Sequence, residues 1–190
     1  MTAVRLEKVS QKYAGQVEVR WKAYALVVGR LDPKPISAHS KSSQLSASRA
    51  EPDATFQPWD ESKSYITSSL PALEAAKCAQ IQGADRFRAY HRALFRALFV
   101  ESRDISDYET LIAMAKELGL DADRFRADLE GGKQKMAVLA EHLELLSEYG
   151  ERVSGIPVVI VNGREPIEGA APVEIFDQVI QRVLREHSNS

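Results

Sequence analysis

The side chains able to act as nucleophile, base or metal ligand are few: one cysteine, Cys78, and four histidines, His39, His91, His142 and His187. Disulfide exchange needs an attacking thiolate and a second thiol to resolve the mixed disulfide. A lone thiol can be capped or joined to another chain, but it cannot cycle between dithiol and disulfide. Cys78 sits four residues before Gln82 in an Ala-rich helical stretch, where a free cysteine reads as a small buried hydrophobe. Lys77 is its neighbour in sequence but points elsewhere around a helix, so it does not supply the cationic contact that activates a thiol. The histidines have no metal-ligand spacing among themselves or with Cys78. His91 reads as a partly buried helix residue beside Tyr90 and Leu94, and Glu141 and Glu144 near His142 as a solvated face. No Gly-rich phosphate loop, G-x-S-x-G elbow or H-E-x-x-H pattern is present. No catalytic residue, metal or other cofactor is therefore expected.

What remains to be positioned is a backbone feature. Gly155-Ile156-Pro157 runs into the β-branched stretch Val158-Val159-Ile160-Val161 and then Asn162-Gly163. Proline has no N–H, so Pro157 must open the strand or end the loop before it. Asn-Gly accepts positive φ at both positions and predicts a two-residue hairpin turn. A short strand around Pro166-Ile167-Glu168 follows, and Gly169-Ala170-Ala171-Pro172 opens a last helix with Val173, Phe176, Val179, Ile180 and Val183 as its buried stripe.

The rest of the chain divides by pattern. A short amphipathic helix carries Val4, Leu6, Val9 and Tyr13 and stops at Ala14-Gly15. Val17, Val19, Trp21, Ala23 and Ala25 then alternate with Glu18, Arg20, Lys22 and Tyr24, which predicts a half-buried strand. Residues 33–64 are rich in Pro and Ser and read as a long surface loop anchored by Phe56 and Trp59. From 65 to 150 the pattern is helical, with helices around 70–79 and 87–99. A Ser106/Glu109 capping box opens a third, Asp121 caps a fourth, and Met136, Leu139, Leu143 and Leu146 mark a fifth.

Composition excludes some function classes. The 190 residues carry a net charge of −2 with 44% apolar side chains, so no field attracts nucleic acid or an anionic membrane. No apolar run approaches the roughly 20 residues of a membrane span. The N-terminal residues lack the apolar core of a secretory signal. With one cysteine, nothing implies an oxidising compartment, and the cytoplasm is the expected location.

Order and spacing from about 65 to 185 resemble the DsbA-like thioredoxin family, closest to its cytoplasmic FrnE-type members. The residues that carry the resemblance are Ser68–Ala76, Ala93–Phe99, Arg103–Asp107, Leu118–Asp121 and Gly155–Ala170. The resemblance implies an α/β fold: a thioredoxin-like sheet with an inserted all-helical domain. Its thioredoxin-like part would be 1–32 plus 153–190, with 33–64 connecting and 65–150 the helical insertion. In that family the proline is cis and faces the redox site, and the backbone of the residue before it pairs with a bound thiol substrate. Those substrate-binding roles fall on Pro157 and Ile156.

The resemblance has one gap. The family's central first strand and the Cys-x-x-Cys that follows it have no counterpart here. Losing a central strand forfeits four or five buried apolar side chains, on the order of 10 kcal/mol, and leaves inner strand edges unpaired. The expectation is a natural start upstream of Met1, or a gap closed by re-pairing or by a partner chain. The family activity is thiol–disulfide exchange with protein or small-molecule thiols, and the residues present are expected not to perform it. Two other readings stay open: a relative of glutathione-dependent isomerases and kappa-class transferases, and a non-catalytic binding or chaperone-like module. An exposed strand edge also favours a homodimer.

Overall fold

The computed structural model describes residues 1–150, 155–164 and 166–188. In chain order the elements are α1 (Thr2–Lys12), α2 (Ala38–Ala50), α3 (Leu70–Ile81), α4 (Ala84–Phe99), α5 (Tyr108–Glu117), α6 (Ala122–Glu130), α7 (Lys133–Tyr149), β1 (Val158–Val159), β2 (Ile167–Glu168) and α8 (Val173–Ser188). The fold is thus mostly helical with one small antiparallel sheet of order β1-β2. No described helix is long and apolar enough to cross a membrane. The chain separates into two compact units, Met1–Trp21 with Leu145–Ser190, and Lys22–Glu144.

The first unit is built on a small core of Val9, Tyr13, Phe176 and Ile180, contributed by α1 and α8. Val159, Val161 and Ile167 pack against it. Residues two apart in a strand share a face, so Val159 and Val161 point inward together. At the turn, Asn162 and Gly163 have φ of 53° and 70°, and Arg164 N–H donates to Val161 O at 3.1 Å; Val159 pairs with Ile167, one residue further on than the expected two-residue loop would bring it. Positive φ at both central residues matches the twist of the flanking strands. Arg5, buried on α1, donates from Nη1 to Ala170 O at 2.5 Å and Ala171 O at 3.0 Å, pinning the turn between β2 and α8.

The second unit packs α3 against α4, α5 and α6. Tyr90, Leu111, Met114, Phe125 and Leu129 are fully buried there, and the Tyr90 and Phe125 rings lie 5.2 Å apart. Tyr90 Oη donates to Leu111 O at 2.9 Å, so its hydroxyl is satisfied in the apolar interior. Asp121 caps α6 as expected, accepting from Arg124 N–H at 3.0 Å.

Four readings need correction. Residues 17–25 form no strand. Ala23 and Ala25 are buried as the alternation predicts, but among the described residues no ladder accepts this segment's N–H and C=O groups. Alternation reports which side chains face inward, not whether a neighbour strand exists. Residues 33–64 are not all loop, because 38–50 form α2. Ser37 caps it, accepting from Ser40 N–H at 3.0 Å; no α2 side chain is buried, so packing gave no periodic signal to read. The α5 cap is Asp107, whose side chain accepts from Thr110 N–H at 2.8 Å, rather than Ser106. Glu141 is not a solvated carboxylate: it accepts from Lys77 Nζ at 2.7 Å and from Ala23 N–H at 2.7 Å, tying α7 to α3 and to the extended segment.

Candidate functional site

In the first unit, Ile156 and Pro157 stand at the entrance to β1, both exposed, Ile156 by 37%. Their peptide bond is cis. The register pairs Val158 with Glu168 and Val159 with Ile167, and Gly169 N–H donates to Pro157 O at 2.8 Å. In an antiparallel ladder, hydrogen-bonded and non-hydrogen-bonded pairs alternate. Pro157/Gly169 is the bonded pair, so the next residue, Val158, turns its N–H and C=O away from β2. Among the described residues no strand lies on that side. The site is therefore a short, open strand edge flanked by an exposed isoleucine and proline. A chain laid along it would find a backbone donor and acceptor at Val158, an arrangement suited to β-augmentation.

Cys78 lies elsewhere, on α3 in the second unit, with no exposed surface. Burial pushes its thiol up to about 12, and the carboxylates of Asp128 and Glu74 push the same way. It stays protonated at physiological pH and shielded, the opposite of the low-pKa, accessible thiolate that disulfide exchange requires. Among the described residues no group of three or more His, Cys, Asp or Glu side chains is placed to hold a metal. His91 is held between Phe87 and Phe95, and burial lowers its pKa to about 4, so it is neutral at pH 7. His142 stacks on Tyr24 at 4.4 Å. Neither is set up as a base.

Sequence reasoning missed the polar group beneath Cys78. Glu74 is 2% exposed, and Tyr108 Oη donates to its Oε2 at 2.5 Å. Burial raises the Glu74 pKa, opposed by the Tyr108 hydrogen bond and by Lys135. The one signal was a Glu on the inner side of an Ala-rich helix. A carboxyl with a raised folded-state pKa binds its proton more tightly when folded. Its contribution to stability is full below the ordinary carboxylate range and is lost as pH rises through the raised value. Glu74→Gln can still accept from Tyr108 and carries no charge. Its melting temperature should therefore rise relative to wild type as pH goes from 4 to 8, which thermal melts across that range would measure.

A family profile described as a DSBA-like thioredoxin domain matches residues 1–181. The chain belongs to that family. The DsbA-like chain is 30% identical over 142 residues to the ClpXP adapter protein SpxH of Bacillus subtilis (strain 168), which covers 73% of this chain and 47% of that protein. It thus spans about half the length of the curated relatives it matches. Among solved structures it is similar to a probable DsbA oxidoreductase from Streptomyces coelicolor, with TM-score 0.76 and 22% identity over 97% of this chain and 84% of that one. It is similar also to the cytosolic disulfide reductase DsbM from Pseudomonas aeruginosa, with TM-score 0.66 and 18% identity over 96% and 92%. The two structures share the DsbA-like fold. The chain is thus a relative of thiol-disulfide oxidoreductases that carries a single cysteine.

Proposed function

We propose that these residues form a cytoplasmic, non-catalytic DsbA-family module that binds an extended, thiol-bearing protein segment along β1 at Ile156-Pro157-Val158. The observation that carries this reading is the unpaired outer edge of β1 at Val158. Family membership supports a thiol-containing protein as the ligand. The state of Cys78 supports binding without exchange: its thiol is buried, protonated and without a second cysteine to resolve a mixed disulfide. Similarity to proteins named as ClpXP adapters also favours a binding role over a redox one. In this reading Ile156 supplies apolar contact and Val158 supplies the backbone pair, while Arg5 fixes the turn that holds β2 in register.

Val158→Pro tests this directly, because proline removes the N–H on the open edge. A labelled, extended Cys-containing peptide titrated against the full chain should bind at least about tenfold more weakly to the variant, the loss of a backbone pair and its register. Equal binding by both proteins would refute an edge-docked ligand.

A further inference from the structure

Asn162 and Gly163 do more than turn the chain: they set a side-chain amide one residue before a backbone nitrogen that can attack it. Both residues are exposed at the tip of the hairpin. The turn is closed by Arg164 N–H on Val161 O at 3.1 Å, which leaves Gly163 N–H outside the turn's own hydrogen bond. Among the described residues no hydrogen bond holds that N–H or the Asn162 side-chain amide. Gly163 has φ of 70° and open space where a Cβ would stand, so no side chain screens its nitrogen. Exposed loop tips are also where local opening concentrates, and the attack needs only a local rotation at Asn162.

We propose that Asn162 is a self-modification site, converting to aspartate and isoaspartate through a cyclic imide. Gly163 N gives its proton to hydroxide or water and attacks Asn162 Cγ. The Cγ–Nδ2 bond breaks, and ammonia leaves carrying a proton in place of the one lost. Water then opens the five-membered imide. Opening at Cγ gives aspartate, and opening at the main-chain carbonyl of residue 162 gives isoaspartate. Nothing is oxidised or reduced, since amide and water become acid and ammonia.

The products change the hairpin. Isoaspartate routes the main chain through Cβ and Cγ, which adds one atom between Val161 and Arg164 inside the ring that their hydrogen bond closes. Either product also sets a carboxylate two residues from Arg164, which holds Glu186 of α8. Val159, Val161 and Ile167 pack on the core of the first unit from this hairpin, so a loosened turn weakens the β1–β2 pairing. The site does not depend on the binding role given to the β1 edge, although the same change would disturb the register behind that edge.

The test incubates the full chain in mildly alkaline buffer. Peptide mass spectrometry and methyl transfer from labelled S-adenosylmethionine by an isoaspartyl methyltransferase follow the reaction. The peptide carrying Asn162 should gain the mass difference between an amide and an acid and should accumulate label. Both should slow in mildly acidic buffer, because Gly163 N must lose its proton to attack. In the aged chain the amides of β1, β2 and Gly169 should exchange at least about tenfold faster than in fresh chain. Asn162→Gly accepts the positive φ and has no side-chain amide, so it should take up no label in this peptide and keep its protection on ageing. Neither readout uses a peptide ligand, so failure here is distinct from failure of β1-edge binding. The proposal would be overturned by unchanged mass at Asn162 after a time that converts the urea-unfolded chain, by equal label in Asn162→Gly, or by unchanged exchange in the converted chain.

Discussion

Phe176→Ala is expected to destabilise the first unit by about 3–5 kcal/mol, the cost of removing a fully buried aromatic side chain and leaving its cavity. Phe176 is 0% exposed and stands with Val9, Tyr13 and Ile180 in a core made by only two helices and a hairpin. A loss of that size is comparable to the stability of a small domain. Hydrogen exchange should show the amides of β1, β2 and α8 losing most of their protection, while those of α3 to α6 keep theirs. Peptide binding at β1 should disappear with the hairpin. Ile175→Ala, one residue away and exposed, is the matched control and should change stability by less than about 0.5 kcal/mol. If Phe176→Ala cost no more than this control, the core assigned to the first unit would be wrong.

Cys78→Ser is expected to cost the second unit about 1–3 kcal/mol, because a hydroxyl is more strongly hydrated than the thiol it replaces and loses that water in a fully buried position. Cys78→Ala removes the sulfur with no new polar atom and should cost less than the serine variant. Chemical denaturation of the two variants would read the difference. Thiol labelling of the native wild-type chain should be slow and limited by opening of the second unit, since the sulfur is buried and protonated. Rapid labelling with both variants at wild-type stability would contradict the buried, inert thiol.

The parts of the fold legible in sequence are those written in local chemistry. Asn162-Gly163 declared the hairpin because two positive φ values are affordable there and almost nowhere else. The helical stripes of α4 and α8 were visible because each buries one continuous face, and Asp121 announced α6 through its side-chain oxygen. Residues 17–25 misled because their alternation was genuine while strand pairing is a property of neighbours. The helix α2 was invisible for the converse reason, since a Ser-rich run with no buried side chain has no pattern beyond its Ser37 cap. At the site, Pro157 could be singled out by its place before a β-branched run. The open edge at Val158 could not, because it depends on the register that Gly169 sets. Glu141 and Glu74 were misjudged or missed because the charge of a carboxylate says nothing of the Lys77, Ala23 and Tyr108 groups that long-range packing brings to them.

The central claim is that these residues bind a thiol-bearing segment and exchange no disulfide. Reduction of insulin by dithiothreitol, followed as the onset of turbidity, puts that claim at direct risk. With the chain present at catalytic concentration, the onset should coincide with that of dithiothreitol alone. An earlier onset that Cys78→Ser abolishes would contradict the account, since it would show the sulfur of α3 reaching substrate as a working thiolate.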